Sequence, residues 1–225
     1  AYAFGKFYAN YFLFIRAFKG LFNSIESTAD YIEAFNYFNV AIGKIASEWS
    51  HDYEKYGYEN AESILNEWNY VKGWTEEYVY SLKVIHGVKG ASFIMACMCA
   101  SQHSFIDMLM YYDTRPSVFC GAFDLYTYEK LKGYYPLCWY GKFYDMEKEI
   151  PSENKLDNLY SLCGVDKEGK VMSMVTYYSD DDSSGNKQVC LDFGKTGKYE
   201  VYLVDEDHDG ELICTTEKLE FDLKR

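Results

Sequence analysis

The chain has 225 residues, of which 19% are aromatic and 24 are tyrosines, and it carries a formal net charge of −13. That length supports one large domain or two small ones, and the acidic balance excludes nucleic acids and anionic membrane surfaces as partners. No apolar run reaches the ~18–20 residues of a membrane span, and the seven cysteines include no C-x-x-C pair. Thiols lying mostly within apolar runs imply reduced, buried side chains in a cytoplasmic protein, and with no P-loop or dinucleotide fingerprint in the sequence no cofactor is expected.

Residues 1–55 are aromatic-rich and without proline, with amphipathic texture over Phe7–Phe22 and Ala29–Trp49, and read as helical. The sequence opens on Ala1 and closes on strand-like Leu219–Leu223 just before Arg225, as a fragment would. Residues 56–150 alternate strand and helix signals. Glu62–Asn69 is a short strand ending in polar residues, and Thr75-Glu76-Glu77 opens a helix through Leu82 and Ile85. Gly87 and Gly90 interrupt that helix, and Ala91–Ser101 continues as a second one. Phe105–Tyr112 is the next strand, a loop runs through Arg115-Pro116 to Gly121, and Gly133–Glu149 is the last helix. Strand and helix in this order imply parallel βα units.

Residues 151–225 change character. Strands are expected over 159–165, 170–178, 187–193, 199–204 and 211–214. Between them lie acidic, glycine-containing turns such as Asp166-Lys167-Glu168-Gly169 and Asp207-His208-Asp209-Gly210. This is an antiparallel module, read as a β-sandwich.

A parallel strand that ends in Asn66-Glu67 brings a carboxylate to the C-terminal mouth of its sheet, where barrel active sites are built. Glycoside hydrolysis needs two such carboxylates, and Trp68 and Asn69 beside Glu67 suit a pocket for a polyhydroxylated ring. On the pattern alone, a strand-end Glu that caps the following helix is the plainer reading.

Several stretches carry a resemblance: ILNEWNYVKGW at 64–74, KGASFIMACMCASQ at 89–102, IDMLMYYDTRPS at 106–117 and FDLYTYEKLKGYYPLCWYGKFYDMEKE at 123–149. With LYSLCGVDKEGKVMSMVTYYSDDD at 159–182, they resemble glycoside hydrolase family 39, the β-xylosidase-like group of retaining enzymes. The resemblance implies an α/β fold: the C-terminal portion of a (β/α)8 barrel over 56–150, followed by the β-sandwich over 151–225. Residues 1–55 do not match the family pattern.

The family's nucleophile lies in a Glu-Trp-Asn motif on strand seven. A βα unit takes ~30 residues, so the stretch from Glu67 to Glu149 holds only the last two helices and strand eight. Glu67 therefore takes the nucleophile's position. Phe105–Tyr112 becomes strand eight, bringing Tyr111, Tyr112 and Asp113 to the same mouth, with Arg115 orienting a carboxylate or pairing with Asp113. For these four residues, loop packing and a local ion pair are an equally good account.

The acid/base partner would lie on strand four, upstream of this sequence, and a Trp-His-x-Tyr segment expected at the end of strand six is not found. Glu48-Trp49-Ser50-His51-Asp52-Tyr53 recovers it only superficially. The implied function is a β-xylosidase-like retaining glycosidase acting on plant-derived oligosaccharides, inactive as this chain alone. Its partner is a carbohydrate substrate, and nothing excludes a homo-oligomer. The rival is a non-catalytic fragment that binds carbohydrate or braces a barrel.

Other motifs are weaker. Asp205–Gly210 matches the start of a calcium loop, but Thr216 stands where a bidentate Glu belongs, so a hairpin turn is expected. Cys97 and Cys99 read as packing residues. His103 reads as a fold residue at the rim opposite the mouth.

Overall fold

A computed structural model describes residues 62, 64–72, 77–104, 106–116 and 118–223. The helical expectation for residues 1–55 lies outside the described residues. The first described unit is strand β1 (Ile64–Trp68), helix α1 (Tyr78–His86), helix α2 (Val88–Ser101) and strand β2 (Met108–Tyr111), with β1 and β2 paired in parallel. It is the expected βαβ connection. Helix α3 (Tyr134–Lys142) follows, continued by a single 3-10 turn over Phe143–Asp145.

Several boundaries differ from expectation; strand β2, for one, begins at Met108 rather than Phe105. Gly90 does not interrupt a helix but lies inside α2, where a Cβ would stand 2.3 Å from the Val84 carbonyl oxygen. Only glycine lets α2 start this close to the end of α1, and the two helices meet at a 76° bend around Gly87. The last helix stops at Lys142, and Lys148–Glu149 is instead a short strand, β3. Among the described residues no single helix is long and apolar enough to cross a membrane.

The remaining strands are β4 (Leu159–Val165), β5 (Val171–Tyr177), β6 (Lys187–Cys190), β7 (Tyr199–Val204), β8 (Asp209–Thr216) and β9 (Glu220–Leu223). They form three antiparallel sheets: β3-β4-β5, β6-β9 and β7-β8. Asp205-Glu206-Asp207-His208 turns the chain between β7 and β8, with Asp205 accepting from the Asp207 and His208 N–H groups. Among the described residues no group of three or more His, Cys, Asp or Glu is arranged to hold a metal.

Side-chain alternation makes β4-β5 a middle layer. Leu162 and Met174 face one way and pack on Met95 and Cys99 of α2. Leu159, Val175 and Tyr177 face the other way and pack on Val189, Leu191 and Leu223 around the β6-β9 pair. Helix α2 is consequently buried on most of its circumference, including Phe93, Ile94, Met95 and Met98, as an all-round apolar helix must be. Tyr178 joins the same core as Tyr70, Ile85, Phe93 and Cys120, so packing is continuous from the βαβ unit into the antiparallel strands.

All seven cysteines are free thiols. Cys99, Cys120 and Cys163 are buried as expected, but Cys138, Cys190 and Cys214 are exposed, because they lie on solvent-facing positions of α3, β6 and β8. Burial pushes the Cys97 and Cys99 thiols up to about 12, which keeps both protonated.

Candidate active site at the end of the parallel strands

The register of β1 on β2 runs Ile64 to Met108 and Leu65 to Leu109, then resumes at Trp68 to Tyr111. Three steps on β1 therefore match two on β2, a β-bulge across Asn66 and Glu67. A bulge re-aims side chains, and bulges are enriched beside active sites. Here Trp68 shares the helix-facing side with Leu65, Leu109 and Tyr111, while Glu67 stays exposed one residue before the strand ends. Strand-period reading alone does not reveal the extra residue.

Trp68 meets Tyr111 edge-on at 5.1 Å and Phe93 of α2 at 6.1 Å. These rings belong to the core behind the sheet. The expected substrate-binding residues Trp68 and Tyr111 thus pack on the α2 side of the sheet, where the bulge turns Trp68 toward an apolar surface. The buried Trp68 indole N–H has no hydrogen-bond partner among the described residues. Burial raises the Tyr111 hydroxyl well above the usual phenol range, so it acts as a neutral donor.

Asn69 is likewise part of the frame. Its amide nitrogen donates to the carbonyls of Tyr112 (2.5 Å) and Cys120 (3.0 Å). Its oxygen accepts from the Tyr70 N–H at 2.7 Å and the Tyr111 hydroxyl at 3.0 Å. Both amide hydrogens and both oxygen lone pairs are thereby committed. The side chain ties the end of β1 to the end of β2 and to the loop beyond, which leaves it no capacity for a sugar hydroxyl.

The same loop carries Asp113, buried, and Arg115, exposed. Asp113 accepts from the Arg115 Nε at 2.8 Å, its terminal nitrogen at 2.6 Å and its backbone N–H at 2.7 Å. Of the two expectations for Arg115, the structure shows the pair with Asp113, and that carboxylate holds the guanidinium firmly charged. Tyr112 keeps 45% of its surface exposed, and its N–H donates to the Trp68 carbonyl at 2.9 Å. The side chain of Asn66 lies outside the described residues. Among the expected site residues, Glu67, Tyr112 and Arg115 thus present accessible side chains at this end of the sheet.

Two further contacts set the mouth. Ser81, fully buried, accepts the Lys72 N–H at 3.0 Å and so fixes the chain leaving β1 against α1. The His86 Nε2 lies 2.7 Å from the Phe119 carbonyl, holding the loop after β2. Glu77 occupies the start of α1 with no side-chain cap, and Thr75 and Glu76 lie outside the described residues.

Sequence reasoning missed the junction around Lys89. Its ammonium lies 2.9 Å from Asp180 and 3.1 Å from Asp182, and also donates to the Tyr80 hydroxyl at 2.9 Å. Tyr70, just past β1, donates to the same Asp180 at 2.7 Å. The acidic run at Asp180–Asp182 looks like an ordinary turn in sequence, and only the packing of β5 on α2 brings it to Lys89. At the opposite rim, the His103 Nε2 lies 2.9 Å from Glu149.

The exposed Glu67 carboxylate thus lies near the C-terminal end of a parallel strand, at the end where the loop after β2 is buttressed by Asn69 and Asp113. The class defined by the fold is a mixed α/β structure that corresponds to part of glycosidase folds. The chain is similar to a glucosidase from Croceicoccus marinus, with a TM-score of 0.57 and 15% identity, covering 81% of this chain and 47% of that one. It is also similar to a GH30 endoxylanase from Clostridium papyrosolvens C71, with a TM-score of 0.50 and 11% identity, covering 76% of this chain and 41% of that one. The chain thus spans less than half the length of either structure. No protein-family model and no curated protein matches it. At these identities the likeness concerns the fold, and membership of family 39 is not shown.

Proposed function

We propose that the chain is the C-terminal part of a retaining glycoside hydrolase of the β-xylosidase type, with Glu67 as its nucleophile. The observation that carries this reading is the bulge that leaves Glu67 exposed at the end of a parallel strand, in a fold similar to parts of two glycosidases. Glu67 would attack the anomeric carbon of a terminal sugar of a plant-derived oligosaccharide and form a covalent glycosyl-enzyme. A second carboxyl group ~5–5.5 Å away, supplied by sequence outside this chain, would protonate the leaving oxygen and then activate water.

The roles of the neighbours follow from their contacts. Tyr112 and Arg115 line the substrate side, whereas Asn69, Trp68 and Tyr111 are positioning residues that hold the bulge. Residues 56–150 would form the last βα units of a barrel, and 151–225 a bracing module on α2. Ile64, Met108 and Met110 are 49%, 40% and 44% exposed on the face away from α2. Parallel sheets are normally covered on both faces, so this open side supports a chain that is one portion of a larger barrel. A cytoplasmic location fits the free thiols.

The test is Glu67→Gln in the full-length enzyme. We expect kcat on aryl β-xyloside to fall by about 10³-fold or more, the scale of losing a group that acts directly on the reacting atoms. Near-normal turnover would remove Glu67 from the chemistry.

A further inference from the structure

Away from the parallel strands, the connection from β6 to β7 builds a cleft of about 250 Å³. Leu191 and buried Leu219 line it together with Phe193 and Tyr199, whose rings stack at 5.1 Å and 30°. Asp192, Lys195, Thr196 and Glu217 supply the charged and polar side chains of the lining. Sites for drug-sized ligands occupy about 300–1,000 Å³, so this one suits a single ring rather than an extended chain.

The loop that lines the cleft is ordered by its own hydrogen bonds. The Leu191 N–H donates to the Leu219 carbonyl at 2.9 Å, joining its two aliphatic residues. Asp192 accepts the Gly194 N–H at 2.7 Å, and Gly194 adopts φ +67°, a turn that suits glycine. The Tyr199 hydroxyl donates to the Lys195 carbonyl at 3.2 Å, and the Lys195 ammonium reaches the Gly169 carbonyl at 3.1 Å, anchoring the loop to the β4-β5 turn. A site ordered before binding loses less entropy when occupied.

We propose that this cleft binds one pyranose unit of a neutral carbohydrate, at a site separate from the mouth beside Glu67. A pyranose presents an apolar C–H face and a rim of hydroxyl donors. Aliphatic and aromatic side chains take the first, and carboxylate acceptors take the second. One Asp192 oxygen serves the Gly194 turn, leaving its other oxygen and the Glu217 carboxylate for adjacent hydroxyls. Two carboxylates against the single Lys195 ammonium leave the lining net negative, which with the chain's net charge of −13 disfavours anionic ligands. The choice of a sugar rests on the glycosidase reading, whereas the cleft and its lining do not.

The experiment is a titration of the full-length enzyme with methyl β-xyloside and methyl β-glucoside, followed by backbone amide NMR shifts. It is run on the unmodified protein, Glu67→Gln, Glu217→Gln, Phe193→Ala and Phe193→Leu. At up to about 50 mM, enough to fill a millimolar site, saturable shifts are expected at Gly194, Gly197 and Leu219. They should persist in Glu67→Gln, weaken about threefold in Glu217→Gln, and weaken about tenfold in either Phe193 variant. Phe193→Leu keeps an apolar side chain, so the effect can be read even if Phe193→Ala unfolds the loop. No saturable shift at these amides, or shifts produced by calcium chloride alone and not by either glycoside, would overturn the proposal. Full activity in Glu67→Gln with the cleft shifts intact would instead sink the nucleophile assignment and leave this site standing.

Discussion

The Tyr111 hydroxyl donates to the side-chain oxygen of Asn69 at 3.0 Å, across the ends of the two parallel strands. Since the Asn69 amide also serves the Tyr112 and Cys120 carbonyls, one side chain fixes the spacing between β1, β2 and the loop beyond. Asn69→Ala would strand those partners and should cost about 2–4 kcal/mol, given roughly 1–3 kcal/mol per unsatisfied buried group. Tyr111→Phe removes a single donor and should cost about 1 kcal/mol. Urea unfolding of the two variants checks the order.

The Lys89 junction should be unequal in its two arms. Asp180 is 10% exposed and shared with Tyr70, whereas Asp182 is 56% exposed. Asp180→Asn leaves a largely buried ammonium poorly compensated and should destabilise by about 2–4 kcal/mol, toward the range for broken buried pairs. Asp182→Asn should cost less than about 1 kcal/mol, as exposed pairs do. A double-mutant cycle with Lys89→Met measures each coupling.

Gly90→Ala should destabilise despite the roughly 1 kcal/mol that alanine offers a helix interior. The added Cβ would stand 2.3 Å from the Val84 carbonyl oxygen and 2.9 Å from that of Ile85, and both are backbone atoms. The α1–α2 bend must open or α2 must shift, at a net cost of about 1–3 kcal/mol. A thermal melt that rises would contradict the close approach.

Acidification should loosen the β7-β8 turn. Burial opposes ionisation of Asp205, but hydrogen bonds from the His208 ring and from the Asp207 and His208 N–H groups win, holding its carboxyl below the usual range. A depressed folded-state value stabilises the fold above the unfolded value of ~3.9 and loses that contribution as pH falls through the folded value. Amide exchange at Asp207 and His208 should therefore quicken below about pH 4, and Asp205→Asn should remove that pH dependence.

The order of elements was legible from residue 64 onward because period and punctuation act locally. The β4 and β7 bounds emerged as expected, and the βαβ unit followed from strand-like Ile64–Trp68 and the apolar run of α2. The site was legible only in part. The Asp113–Arg115 pair is a short-range feature that its sequence neighbours suggest, whereas Glu67 is singled out only by the resemblance to a family. The bulge, the commitment of Asn69 and the Lys89–Asp180 junction depend on partners 42 to 91 positions away, which no local pattern encodes. The inward packing of Trp68 was hidden for the same reason: one inserted residue exchanges the faces of a strand.

The most direct measurement is mass spectrometry of the full-length enzyme after exposure to a 2-deoxy-2-fluoro β-xyloside with a good leaving group. The account predicts one covalently attached fluorosugar, recovered on the peptide that contains Glu67 and absent from Glu67→Gln. Attachment to another carboxylate, or steady turnover with Glu67 unlabelled, would contradict it.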